Sequence, residues 1–229
     1  HGGGFVTGSI ASHDSFTRVL AAEARTVVVS VEYRLAPEDP FPAAPEDAEA
    51  SFRWCRARAS ELRFKGPFGV GGDSAGGNLA AVVSQSLRGE SVAPDFQLLI
   101  YPAADFRRGF PSHQTFAKNF IIDRRTLDWF IANYLGSEGS LTDPRASPLL
   151  ADSFVGLPPA LLVIAGFDPL RDEGEAYGDA LEGAGVPIRR LTYGTLPHGF
   201  LQMAGAVDRA HDANLEIARG LRDLCASVP

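Results

Sequence analysis

Phe68-Gly69-Val70-Gly71-Gly72-Asp73-Ser74-Ala75-Gly76-Gly77-Asn78 decides how the rest of the chain is read. Apolar residues before it spell a short buried strand. The small-residue run after it, through Leu79, Ala80, Ala81, Val82 and Val83, spells a helix. Between them lies G-x-S-x-G, with Ser74 at the centre. A serine on a sharp strand-to-helix turn is held in a strained conformation, and flanking glycines let neighbouring backbone approach without a Cβ clash. The helix that starts there aims free N–H groups and its positive dipole end at whatever the serine attacks. Chance alone produces the pattern about 0.2 times in a chain of this composition, so its weight depends on partners elsewhere.

The chain around this stretch alternates strands and helices. Helical spacing marks residues 13–25, a helix from near Pro45 to about Leu62, another from Ser74 to about Leu87, and further ones over 123–135, 173–182 and from about Val207 to Cys225. Strands are expected at Thr26–Tyr33, β-branched and apolar enough for burial on both faces, and at Asp95–Tyr101, Ala160–Gly166 and Ile188–Tyr193. This order predicts one α/β domain over 1–229, a mostly parallel sheet with helices on both faces. Residues 102–158 hold only one clear helix between two strands, a length expected of a pocket or lid insertion.

A serine hydroxyl needs a base, and the base needs an orienting group. His198, in Leu196-Pro197-His198-Gly199-Phe200, follows the last strand. Asp168, in Gly166-Phe167-Asp168-Pro169-Leu170, follows the strand before it, with Asp172 as a rival that fits a helix's first turn better. Taken singly, His198 also reads as an idle loop residue and Asp168 as a helix cap. Three candidates that each follow a strand make those readings improbable together. The leading His1-Gly2-Gly3-Gly4 leaves backbone N–H groups unshielded, which suits a developing oxyanion; a floppy leader would look the same.

Composition narrows the partners. At 45% hydrophobic and 21% charged, with a net charge of −7, the chain is an ordinary globular protein with no basic run for nucleic acid or anionic membrane. No stretch approaches the roughly 18 apolar residues of a membrane span. Cys55 and Cys225 lie far apart in helical patterns; a disulfide between them is open but unsupported, and a reduced pair fits a cytoplasmic enzyme better. A first residue other than Met, inside a motif, implies a longer natural N-terminus.

As a set, His1-Gly2-Gly3-Gly4, Tyr33-Arg34-Leu35-Ala36-Pro37-Glu38, Gly72-Asp73-Ser74-Ala75-Gly76-Gly77, Asp143-Pro144 with Ser147-Pro148-Leu149, Asp168-Pro169-Leu170 with Asp172-Glu173, and His198-Gly199-Phe200 resemble the hormone-sensitive-lipase-like esterases of the α/β-hydrolase superfamily. The order Ser74, Asp168, His198 is theirs as well. The resemblance implies Ser74 as nucleophile, His198 as base and then acid, Asp168 as orienting carboxylate, and an oxyanion hole from Ala75 N–H with Gly3 and Gly2 or Gly4. It implies no metal or cofactor, a small-molecule ester of short-to-medium acyl length as substrate, and in some members a homodimer through an edge strand, here Ile188–Tyr193. An amidase or acyltransferase would share the triad, and a ligand-binding receptor on the same scaffold would lose the histidine. The family also carries a cap segment and three strands before the glycine motif. One of those strands lies between Thr26–Tyr33 and the Val70 strand, so the 229 residues alone are expected to be unstable or poorly active.

Overall fold

The computed structural model describes residues 1–137 and 139–228. Its sheet has four parallel strands in spatial order β1 (Val70–Asp73), β2 (Gln97–Ile100), β3 (Ala160–Phe167) and β4 (Ile188–Pro197). The helices are α1 (Ile10–Ala24), α2 (Ala43–Ala57), α3 (Ala75–Ser86), the short α4 (Ser112–Thr115), α5 (Arg124–Leu135), α6 (Arg171–Gly183) and α7 (Asp208–Ser227).

Alternation along β3 builds two cores. Successive side chains of a strand point to opposite faces. Leu161, Val163 and Ala165 therefore meet Phe16 and Leu20 of α1 and Ile217 and Leu221 of α7. Leu162 and Ile164 meet Ala80 and Ala81 of α3 and Tyr177 and Leu181 of α6. With both faces covered, the strand reads as a continuous apolar run, as parallel strands do.

Residues 26–33 depart from the expected strand. They run outside any strand or helix, with Val27 55% and Val29 47% exposed. The physical reason is the ladder. β-propensity reports fitness for a pleated surface, but a strand exists only where a neighbour takes its N–H and C=O groups, and no described segment does so here. An apolar cavity of about 260 Å³ lies between Val28 and Val31 on one side and Phe68 and Val70 on the other, with Phe16 and Phe52 among its walls. The helix expected to reach Leu62 ends at Ala57, and β4 runs four residues beyond the expected Tyr193.

The long segment between β2 and β3 is tied down by buried polar groups. Asn78 Nδ2 donates to the Ala103 and Ala146 carbonyls, each at 2.7 Å. Phe106 N–H donates to Ser147 Oγ and Ser112 N–H to Asp172. Glu173 of α6 receives the Ala104 and Asp105 N–H groups on Oε1 and His113 Nε2 on Oε2, the last at 2.6 Å. Burial pushes the Glu173 carboxyl up, against those three donors. Burial also works against a charge on His113, but the bond and charge of Glu173 reverse this and lift His113 above its ordinary value.

A raised histidine contributes stability in full below its unfolded value of about 6.5 and loses it as pH rises through the folded value. His113→Gln keeps an amide beside Glu173 but cannot take up the proton. In urea melts, the stability advantage of the parent over His113→Gln is expected to be larger near about pH 6 than near about pH 9. An advantage that grows with pH would contradict this charge assignment.

Candidate active site

Ser74 sits between β1 and α3 at φ 54° and ψ −116°, a region costly for a residue with a Cβ, typically by about 1–3 kcal/mol. The turn is held from both sides: Ser74 N–H donates to the Ile100 carbonyl at 2.9 Å, and its own carbonyl accepts from Asn78 and Ala103 N–H. Only glycine fits at position 72, where a Cβ would lie 2.3 Å from the Gly76 carbonyl carbon. The strained turn thus presents Ser74 to a cavity at the carboxyl end of the sheet, where sites form in parallel α/β folds.

The two other predicted residues arrive there from neighbouring strands. Asp168 follows β3 and His198 follows β4, and the two strands pair in parallel out to Phe167 and Pro197. His198 Nδ1 lies 2.6 Å from Asp168 Oδ2, and Nε2 lies 2.9 Å from Ser74 Oγ. The carboxylate accepts a hydrogen bond from Nδ1–H, which leaves Nε2 to accept from the serine hydroxyl. Asp168 is fully buried, and its Oδ1 is occupied by Leu170 N–H at 2.7 Å. The Tyr101 ring packs against His198 with centroids 4.6 Å apart and is itself backed by Phe200. Asp172, the rival carboxylate, lies in the first turn of α6 and is taken by Ser112 N–H and Arg171.

These groups open into a cavity of about 380 Å³ with Gly2, Gly3 and Gly4 on its wall. Phe5, Phe106, Ile122, Leu127, Phe130 and Leu170 supply its apolar lining, most of them from residues 102–158. Gly3 and Gly4 have φ of +118° and +60°. Among the described residues, the N–H groups of Gly3, Gly4 and Ala75 enter no hydrogen bond. Gly2 differs and corrects the expectation for that position. Its N–H is given to Asp73 Oδ1 at 2.9 Å and is not free for an oxyanion.

Two buried groups beside the site were not singled out from the sequence as functional. Asp73 precedes Ser74 within the quoted motif, and His13 lies on α1, 60 residues away in the chain. Burial pushes the Asp73 carboxyl up, but the bond and charge of His13 help hold it below the usual range. A carboxylate adjoining the serine at a buried strand end was the available signal; nothing local marks His13. Of the other histidines, His211 is exposed on α7. Cys55 and Cys225 are unpaired. Among the described residues no three His, Cys, Asp or Glu side chains cluster as metal ligands, and no helix is long and apolar enough to cross a membrane.

Comparison with known proteins agrees with this geometry. A family model for the α/β-hydrolase fold matches residues 1–202. The carboxylic ester hydrolase LipN of Mycobacterium tuberculosis is 46% identical over 211 residues, which cover 89% of this chain and 56% of that protein. The ethyl acetate hydrolase of Pseudomonas putida is 37% identical, over 97% of this chain and 71% of that one. Among solved structures, a thermostable carboxylesterase from a metagenomic library, EstE1, superposes with a TM-score of 0.92 at 43% identity, covering 98% of this chain and 78% of its own. The chain therefore spans little more than half the length of LipN and about three quarters of the other two. With the family model and these relatives in agreement, the chain belongs to the α/β-hydrolase fold family, in its hormone-sensitive-lipase-like carboxylesterase branch.

Proposed function

We propose that the chain carries the catalytic machinery of a serine carboxylesterase acting on small esters of short-to-medium acyl length. The observation that carries this reading is the unbroken hydrogen-bond chain from Ser74 Oγ through His198 to Asp168, opening on an apolar cavity. In this reading Ser74 attacks the ester carbonyl while His198 Nε2 takes its proton. The oxyanion of the tetrahedral intermediate is met by the N–H groups of Gly3, Gly4 and Ala75. His198 then gives the proton to the leaving alcohol, and water repeats the sequence on the acyl-enzyme. Asp168 keeps the imidazole in the productive tautomer throughout.

Residues 102–158 serve as the pocket insertion, since they supply Phe106, Ile122, Leu127 and Phe130 to the lining. The printed activities of the relatives, ethyl acetate hydrolase among them, support a small ester as substrate. The thiol state of Cys55 and Cys225 supports a cytoplasmic setting. β4, the last strand in the sheet order, is the edge at which two copies would pair, and sedimentation velocity separates monomer from dimer. The intact Ser74–His198 bond favours catalysis over a receptor role. Amide hydrolysis and acyl transfer use the same triad; paired p-nitroanilide and p-nitrophenyl substrates, with and without added alcohol, separate the three reactions.

Hydrolysis of p-nitrophenyl acetate, butyrate and octanoate tests the reading. Ser74→Ala is expected to lower kcat at least about 10⁴-fold, and Asp168→Asn about 10⁴-fold through the wrong tautomer. Turnover that survives Ser74→Ala would contradict the proposal. Phe130 packs over the glycine loop, where a Cβ on Gly4 would meet its ring. Phe130→Ala is expected to raise kcat/KM for octanoate relative to butyrate; an unchanged ratio would place the acyl chain elsewhere.

A further inference from the structure

The peptide unit joining His1 to Gly2 is gripped on both of its polar groups. Its carbonyl accepts from the Tyr33 hydroxyl at 2.6 Å, and its N–H donates to Asp73 Oδ1 at 2.9 Å. Gly2 is fitted closely to that carboxylate, since a Cβ there would stand 2.5 Å from Asp73 Oδ2. Behind Asp73 stands His13, whose Nε2 lies 3.2 Å from Oδ1 and 3.4 Å from Oδ2. Both side chains are buried, each 9% exposed.

The far side of the ring is fixed as well. Ser12 Oγ accepts from Ser9 N–H and gives its one hydrogen to the Ser9 carbonyl. Only acceptor capacity then remains toward His13 Nδ1, 2.9 Å away, so Nδ1 is the donor in that contact. The capping box at the start of α1 thereby orients an imidazole whose other nitrogen reaches Asp73. Nε2 is also 3.3 Å from Gly2 N. A proton on Nε2 lets the ring donate to Asp73, whose Oδ1 in turn receives the Gly2 N–H.

We propose that His13 and Asp73 are positioning residues for oxyanion binding: they lock the His1–Gly2 peptide so that the following Gly3 and Gly4 N–H groups are presented, already oriented, to the cavity beside Ser74. Neither side chain needs to touch substrate. The proposal rests on the esterase reading above. Donors fixed in advance where negative charge develops stabilise the transition state more than the ground state. Loosening the brace therefore lowers kcat and leaves KM nearly unchanged.

The test compares the parent, His13→Ala and His13→Gln with p-nitrophenyl butyrate. An aliphatic trifluoromethyl ketone, which forms an oxyanion-bearing adduct with a catalytic serine, serves as inhibitor. His13→Ala is expected to lower kcat about 10- to 100-fold, with KM within about threefold, and to weaken the ketone by the same factor as kcat. His13→Gln, whose amide nitrogen reaches the place of Nε2, is expected to restore most of the loss. Unchanged kcat in His13→Ala would overturn the proposal. So would a kcat loss with undiminished ketone affinity, or a folded His13→Gln as impaired as the alanine variant. If His13→Ala does not fold, Gly2→Ala reads the same contact by pushing against Asp73 Oδ2, and full activity there would overturn the proposal. A parent without Ser74-dependent turnover removes the esterase reading and this inference with it; an active parent indifferent to position 13 removes the inference alone.

Discussion

Everything in this molecule that bears on chemistry depends on one strained turn, Ser74 held at positive φ between β1 and α3. Such a conformation persists only where surrounding bonds over-determine it. Here they come from the next strand, through the Ile100 carbonyl, and from the following helix and loop, through Asn78 and Ala103 N–H. The same Asn78 carries the constraint outward by gripping the Ala103 and Ala146 carbonyls. Ser74 and the segment after β2 that walls its cavity are therefore positioned by one helix turn.

Around that turn three buried carboxylates are each answered by a histidine, while a fourth, Asp105, is held by Arg107. Asp168 meets His198 at 2.6 Å, Glu173 meets His113 at 2.6 Å, and Asp73 meets His13 at 3.2 Å. A carboxylate taken out of water costs several kcal/mol unless paired and hydrogen-bonded, and each of these also receives backbone N–H donors. The three pairs divide the work. Asp168–His198 faces the serine, Glu173–His113 fastens the insertion to α6, and Asp73–His13 holds the glycine loop. All six residues except Asp168 line the one cavity, so the polar stabilisation of the fold and the shape of the site are the same set of bonds.

The parallel sheet and the places of Ser74, Asp168 and His198 at its strand ends were legible in the sequence because both are written locally. Each of the three follows a segment expected as a strand, which is β1, β3 or β4 in the structure, and parallel topology delivers strand ends to one edge. The Val27–Val29 run was misread for the opposite reason: its composition suits a strand, but ladder partners are a tertiary fact. The glycine run reads as a loop with unshielded N–H groups, yet which of them take a partner depends on Asp73, 71 residues from Gly2. On the same grounds nothing local distinguishes His13 or His113, since each partner lies 60 positions away and no spacing rule connects them.

The most direct measurement is the site of covalent capture. The chain is treated with a p-nitrophenyl alkylphosphonate, which traps an activated serine as a stable tetrahedral adduct, and intact mass and peptide mapping are then read. The account predicts one adduct per chain, on Ser74, formed with stoichiometric release of p-nitrophenol and abolished by His198→Ala. A folded chain that takes up no phosphonate, or takes it up on another residue, would contradict the claim that this turn holds an activated nucleophile.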